Sequence, residues 1–234
     1  MDKVKKGIKA VGLLLLVVGA LWGGWTWYES ANYFTTQDAQ VAADTVTIIP
    51  EVTARIKSWD VREGDPVEAG QVLGRQELGM LVSGTALSAD ALENSADALV
   101  SKAAIRTPIS GKVVLTSVVP GQVVGPGTAV ATIADTEHLY IKANIEETDI
   151  FKILPGQGVD IRIDAYPGVR FSGQVERVGQ ATHQAFNTFP SLNTSGEFSK
   201  VTQLVPVRIS LLDLGDRPLM LGMNTTVKIH LKDQ

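Results

Sequence analysis

The chain has 234 residues, 44% of them hydrophobic and 6% aromatic, a net charge of −4 and no cysteine. An acidic balance with few aromatics speaks against nucleic-acid binding, which uses a basic face with interleaved rings. The absence of cysteine excludes disulfides, thiolate metal ligation and a cysteine nucleophile.

Lys3, Lys5, Lys6 and Lys9 precede an uncharged run from Ala10 to Tyr28. Such a run spans about 28 Å as a helix, one hydrocarbon core. The lysines lie before it, and Glu29, Asp38 and Asp44 follow, which predicts a cytoplasmic N-terminus with the rest of the chain outside. The run ends in Trp22, Trp25, Trp27 and Tyr28, an interfacial aromatic cluster with no small-x-small cleavage site, so it reads as an uncleaved anchor and not a signal peptide. Gly19 and Gly23, four apart, would let another helix approach closely. The expected order begins with a cytoplasmic tip and transmembrane anchor over 1–28 and a linker and membrane-proximal lead-in over 29–47. The protein is expected in the inner or plasma membrane, single-pass, with its C-terminal domain extracytoplasmic.

A repeat follows. A shift of 57 superposes Ile56 on Val113, Val61 on Val118, Gly64 on Gly121, Val67 on Val124, Gly70 on Gly127 and Leu73 on Val130. Both copies read as strand, then G-[DQ]-x-V-x-x-G, then strand, with glycines as turn corners of positive φ. Gly111 stands at a further turn before Val113. Two such halves, 48–73 and 105–134, resemble the split biotinyl/lipoyl-type β-sandwich; two unrelated hairpins are the alternative. No lysine occurs between Ser58 and Ser101, so a carrier of biotin or lipoate is excluded and no cofactor is expected. Between the halves, 74–104 holds a short helical insertion: Ser88 is a candidate N-cap, and Ala89, Leu92, Ala96, Leu99 and Ala103 recur at 3-and-4 spacing.

From Leu139 onward strand follows strand. Val159, Ile161 and Ile163 alternate with Asp160, Arg162 and Asp164; Val205, Val207 and Ile209 with Pro206, Arg208 and Ser210; Val227, Ile229 and Leu231 with Thr226, Lys228 and His230. Period two with one apolar face predicts a small antiparallel β-barrel, with its C-terminal membrane-proximal strand, over 135–234. A polar stretch, 180–203, carries Phe186, Phe189 and Phe198 and is too long for a plain hairpin loop. The fold class expected is therefore mainly β, with one N-terminal transmembrane helix, a split lipoyl-like β-sandwich with a short helical insertion, then the barrel.

Catalytic patterns are lacking. His138, His183 and His230 are scattered without metal-ligand spacing, and His230 reads as a solvated side chain. Glu146, Glu147 and Asp149 read as solvated carboxylates at a helix start, and no nucleophile–base pair appears. The chain is read as a non-enzyme without a metal site.

Three segments resemble the HlyD-type membrane fusion proteins, and within them the EmrA-like drug-efflux adaptors. TQDAQVA at 36–42, followed by IIPEVTARI at 48–56, is similar to the family's lead-in to its first lipoyl half. IRTPISGKV at 105–113 resembles the return after the helical insertion, with Thr107 in place of the usual alanine. SLNTSGEFSKVTQLVPVRI at 191–209 matches the subfamily at Asn193, Gly196, Lys200, Gln203, Pro206, Val207, Arg208 and Ile209. Ala143-Asn144 with Glu147-Thr148 matches its barrel opening. The resemblance implies a multidrug-efflux adaptor that pairs with an integral-membrane transporter of the major-facilitator type and forms a homo-oligomer. Asn193, Gly196, Lys200, Gln203 and Arg208 are its candidate partner contacts. The family's long helical hairpin is replaced by the 31 residues of 74–104, which rise no more than ~20 Å as two helices; contact with an outer-membrane channel is not expected. The alternatives are an accessory protein of an ATP-driven peptide or protein exporter and an extracytoplasmic sensor or wall-binding module.

Overall fold

The computed structural model describes residues 15, 17–24, 29, 31–77, 101–182, 202–213 and 217–231. Residues 17–24 are helical, with Leu21 and Trp22 at 70% and 74% exposure. The rest of the expected anchor lies mostly outside the described residues, and among those described no helix is long and apolar enough to cross a membrane. The helix expected around Leu92 also lies outside them; Ala103, at the end of its stripe, is helical and buried.

The chain forms two compact units, Ala43–Leu139 and a second made of residues up to Ala42 together with Tyr140 onward. Strand β1 (Tyr33–Ala42) belongs to the second. The first unit holds β2 (Thr45–Ile48), β3 (Ala54–Trp59), β4 (Pro66–Val67), β5 (Val72–Gln76), β6 (Ala104–Arg106), β7 (Gly111–Thr116), β8 (Val123–Val124) and β9 (Ala131–Ala134). They make two four-stranded sheets ordered β2-β9-β7-β4 and β6-β5-β3-β8.

The offset of 57 carries β3 onto β7 and β4 onto β8, and each sheet takes strands from both halves. Pairing is reciprocal. The Gly64 N–H donates to the Val113 carbonyl at 2.8 Å, and the Gly121 N–H to the Ile56 carbonyl at 2.8 Å. Ile56 N–H donates to Gln122 O at 2.8 Å, and Val113 N–H to Asp65 O at 3.0 Å. The alternating apolar residues of the two copies, Ile56, Val61, Val67 and Leu73 with Val113, Val118, Val124 and Val130, fill one core. Each such buried side chain stabilises by about 1.5–3 kcal/mol. Two independent hairpins would each leave that face in water. Thr107, where the family has alanine, is buried, and its hydroxyl donates to Ile109 O at 2.7 Å. A local turn thus satisfies the polar atom that alanine would not bring.

The second unit adds β10 (Tyr140–Glu146), β11 (Gly158–Ile163), β12 (Phe171–Val178), β13 (Leu204–Leu211) and β14 (Asn224–His230) to β1. They close a barrel in the order β1-β10-β13-β12-β11-β14. Val159, Ile161, Ile163, Val207, Ile209, Val227 and Ile229 line its interior at 3% exposure or less. Two expectations need correction. Residues 33–42 are a barrel strand, not linker, and the barrel does not assemble from the residues after 135 alone. Residues 45–48 are a sandwich strand paired with β9 from Thr45↔Ala134 to Ile48↔Ala131. β1 escapes a period-two search because only its small side chains Ala39 and Val41 are deeply buried, and its register with β14 shifts between Thr36 and Ala39.

The strand registers place Tyr33, Glu146, Gly158, Leu204 and His230 at one barrel end. Ala42 and Tyr140, where the chain leaves for and returns from the sandwich, lie at the other.

Gly64 and Gly121 have φ of +91° and +93°, with no atom within 4 Å of an added Cβ. Their cost of substitution is therefore conformational. Gly64→Val and Gly121→Val should each lower stability in urea titrations by about 1–3 kcal/mol. Gly111→Ala should lose more than Gly64→Ala, because at φ +153° its Cβ would also overlap the Ala134 carbonyl oxygen. Midpoints matching the parent at both 64 and 121 would mean that these corners do not hold the turns.

Candidate partner-contact site

Segments that were separate in the sequence are neighbours in the barrel. TQDAQVA lies in β1, Ala143-Asn144 in β10 and the PVRI run in β13, and β10 is hydrogen-bonded to both of the others. Asn144 Nδ2 donates to Asp38 Oδ1 at 3.0 Å. Ala143 lies opposite both Ala39 and Val207. The Asp38 N–H in turn donates to Thr36 Oγ1 at 3.1 Å.

Arg208 faces outward on β13, between the buried Val207 and Ile209. Its cross-strand neighbours are Lys142 on β10 and Arg177 on β12. Like charges in register repel, and two contacts offset this. Arg208 Nε donates to Glu176 Oε2 at 3.0 Å, and its guanidinium carbon lies 3.7 Å from the Tyr140 ring centroid. Glu176 and Arg177 are both exposed because the β12–β13 register shifts between Val175 and Arg177, as a bulge that turns two successive side chains outward. The Arg208 side chain is only 19% exposed. Its charge is engaged within the chain, whereas the sequence pattern pointed to a contact with a partner. Tyr140, Lys142, Arg177, Pro206 and Arg208 line a basic surface hollow of about 590 Å³.

Gln203 lies at the barrel end that carries Tyr33, where its carbonyl accepts the Glu147 N–H at 2.9 Å. Asn193, Gly196 and Lys200, like Phe186, Phe189 and Phe198, lie outside the described residues. Gly19 and Gly23 are helical, and no atom comes within 4 Å of a Cβ added at either. Glu146 ends β10, and Asp149 precedes a single 3₁₀ turn, Ile150–Lys152, without capping it through its side chain; instead it accepts the Lys152 Nζ at 2.6 Å. Phe151 at the tip of that turn is 90% exposed and was not singled out by any sequence pattern. Its only signal was an apolar stretch, IFKIL, ended by Pro155-Gly156. Among the described residues no group of three His, Asp or Glu side chains could hold a metal ion.

His230 is not simply solvated: its Nε2 lies 3.1 Å from Asp160 Oδ2, and its ring meets Tyr33 edge-on at 5.1 Å. In the sandwich unit His138 Nδ1 lies 2.8 Å from Asp135 Oδ2. This hydrogen bond raises the His138 pKa and lowers that of Asp135.

Residues 44–135 match the CzcB-like barrel-sandwich hybrid domain, and residues 139–229 the YknX-like β-barrel domain. The chain belongs to the membrane fusion protein family, as an EmrA-like member built from these two domains. It is 36% identical over 219 residues to YhbJ of Bacillus subtilis (strain 168), a protein provisionally named as an efflux system component, covering 94% of this chain and 89% of that one. It is 36% identical over 132 residues to the multidrug export protein EmrA of Haemophilus influenzae, covering 55% of this chain but 34% of that relative. The crystal structure of ZneB from Cupriavidus metallidurans shares the fold, with a TM-score of 0.60 at 22% identity, over 85% of this chain and 98% of that one.

Arg208→Ala should lower stability by about 1–2 kcal/mol, the combined scale of a partly exposed cation–π contact and ion pair. Arg208→Lys should recover part of it; an Arg208→Ala variant as stable as the parent would show that the wall does not use the guanidinium. The Asp135–His138 contact is favourable while the carboxylate is ionised and the imidazole protonated. It is lost as pH rises through the raised His138 pKa and as pH falls through the lowered Asp135 pKa. In an NMR titration the His138 midpoint should drop in Asp135→Asn; an unmoved midpoint would break the assignment.

Proposed function

We propose that the chain is a non-enzymatic, extracytoplasmic adaptor of a drug-efflux transporter, held in the cell membrane by residues 10–28 with its N-terminus cytoplasmic. The observation that carries this reading is the match to a B. subtilis efflux component along 94% of this chain and 89% of that relative. The EmrA relatives, named as multidrug export proteins, support multidrug export as the activity served, and the family resemblance supports a membrane transporter as the partner. A major-facilitator transporter and a homo-oligomeric adaptor follow from the same subfamily resemblance. The barrel supports it too: Tyr33 begins β1 only five positions after the apolar run ends at Tyr28. The end of the barrel that carries Tyr33 also carries Gln203, so the 180–203 stretch leaves from the end nearest the anchor.

The insertion closes between β5 and β6, where Arg75 pairs with Ala104. This leaves too little chain for a hairpin that crosses a periplasm, and we take the adaptor to act without an outer-membrane channel. Deleting the gene should abolish export of a fluorescent lipophilic drug while leaving the transporter's membrane level unchanged, and a protonophore should reproduce the loss. Export sensitive to vanadate but not to the protonophore would instead support an ATP-driven exporter. Unchanged export in the deletion strain would remove the adaptor reading.

A further inference from the structure

We infer that the turn between β10 and β11, with Phe151 at its tip, seats the barrel on the lipid bilayer by inserting into the headgroup layer. The inference rests on the anchored reading of residues 10–28. Phe151 is 90% exposed and Leu154 42% exposed. Together with Ile150, Val178, Ala181 and Val205 they line a surface hollow of about 580 Å³.

The turn is fixed to the point where the chain enters the barrel. Gln157, at 1% exposure, donates from Nε2 to the Lys152 carbonyl at 3.2 Å and to the Leu231 carbonyl at 3.3 Å. Its Oε1 accepts the Leu154 N–H at 3.0 Å. The Leu231 N–H donates to the Asn32 carbonyl at 2.8 Å. One buried carboxamide therefore ties the segment just after Phe151, at Lys152 and Leu154, to Leu231 just past β14, which is bonded to Asn32. From Tyr28 to Asn32 the extended chain reaches at most ~14 Å. The headgroup layer on each side of the hydrocarbon core is about 5–7 Å thick. The barrel end that bears Phe151 is thus held close to the headgroups.

Lipid fits this turn better than a protein groove. One ring and part of a leucine offer on the order of 200 Å², well short of the roughly 800 Å² per partner in a stable protein interface. Phe and Leu side chains bury into the headgroup–acyl boundary in membrane-surface elements. Lys152 is matched by Asp149, and Glu146 and Glu147 stand nearby. The contact is therefore apolar, without electrostatic attraction to anionic lipid, and should persist at high salt.

The cysteine-free chain permits a direct test. Phe151→Cys, Val18→Cys in the apolar helix, and Ala165→Cys in the β11–β12 turn at the other barrel end are each labelled with an environment-sensitive fluorophore. The full chain is reconstituted in phosphatidylcholine–phosphatidylglycerol vesicles containing a lipid spin-labelled just below the headgroup or, for the label at 18 near mid-bilayer, deep in the acyl chain. Labels at 151 and 18 should be quenched at least about twofold more than at 165, with the 151 signal unchanged by high salt. Quenching at 18 but not at 151 would overturn the seating while leaving the anchor intact. No quenching at 18 would overturn the anchored reading and the seating with it. A photo-cross-linker at 151 that captures protein and no lipid in native membranes would also overturn it.

Discussion

Ala39 and Val41 lie opposite Ala143 and Ile141, and this short antiparallel seam closes the barrel. The β11–β12 turn and the 179–203 connection each join neighbouring strands, whereas the whole sandwich unit, Ala43–Leu139, stands in the chain between β1 and β10. Without the seam, β1 and β10 would be edge strands with unpaired backbone groups. The seam also carries the Asp38–Asn144 hydrogen bond. Closing it requires the sandwich to return the chain beside its point of departure.

The sandwich meets that requirement by pairing its first strand, β2, with its last, β9, from Thr45↔Ala134 to Ile48↔Ala131, and an internal repeat holds the rest together. Each half donates a turn amide to a strand of the other half, at 2.8 Å in both directions. Their apolar faces share one core. β5 and β6 also pair next to the insertion, from Val72↔Arg106 to Arg75↔Ala104. The insertion is thus closed by a hydrogen-bonded ladder at its base. Its length can change without disturbing the core, since loop length costs little once the ends are held. This gives a physical account of how a chain with a short insertion keeps the same two domains as longer relatives.

The barrel uses its outer surface in two ways. The wall around Arg208 carries three cations in adjacent strands, and Arg208 itself is held by Glu176 and the Tyr140 ring. The Arg208 guanidinium thus adds to the stability of the wall. The end that bears Tyr33 is different. It gathers the N-terminal segment, the Phe151 turn and the departure of the 180–203 stretch, and it exposes Phe151 and Leu154 beside the Lys152–Asp149 pair.

Much of this was determined by the sequence alone. Period-two alternation marked β11, β13 and β14, because a half-buried strand must place apolar residues on every second position. The repeat at 57 residues marked both halves of the sandwich, because the turn corners need glycine and the core needs the intervening valines. Matching motifs identified Asp38, Asn144 and Arg208 as residues of interest. Tertiary structure decided the rest. β1 could not be assigned from its own residues, since its buried side chains are small and a register shift breaks its alternation; only pairing with β10 and β14 makes it a strand. Arg208 stood in the sequence as a candidate partner contact, and only the fold brings Glu176, turned outward by a bulge on another strand, beside it. Phe151 had no pattern to betray it, because exposure is a property of the folded surface and not of the local sequence.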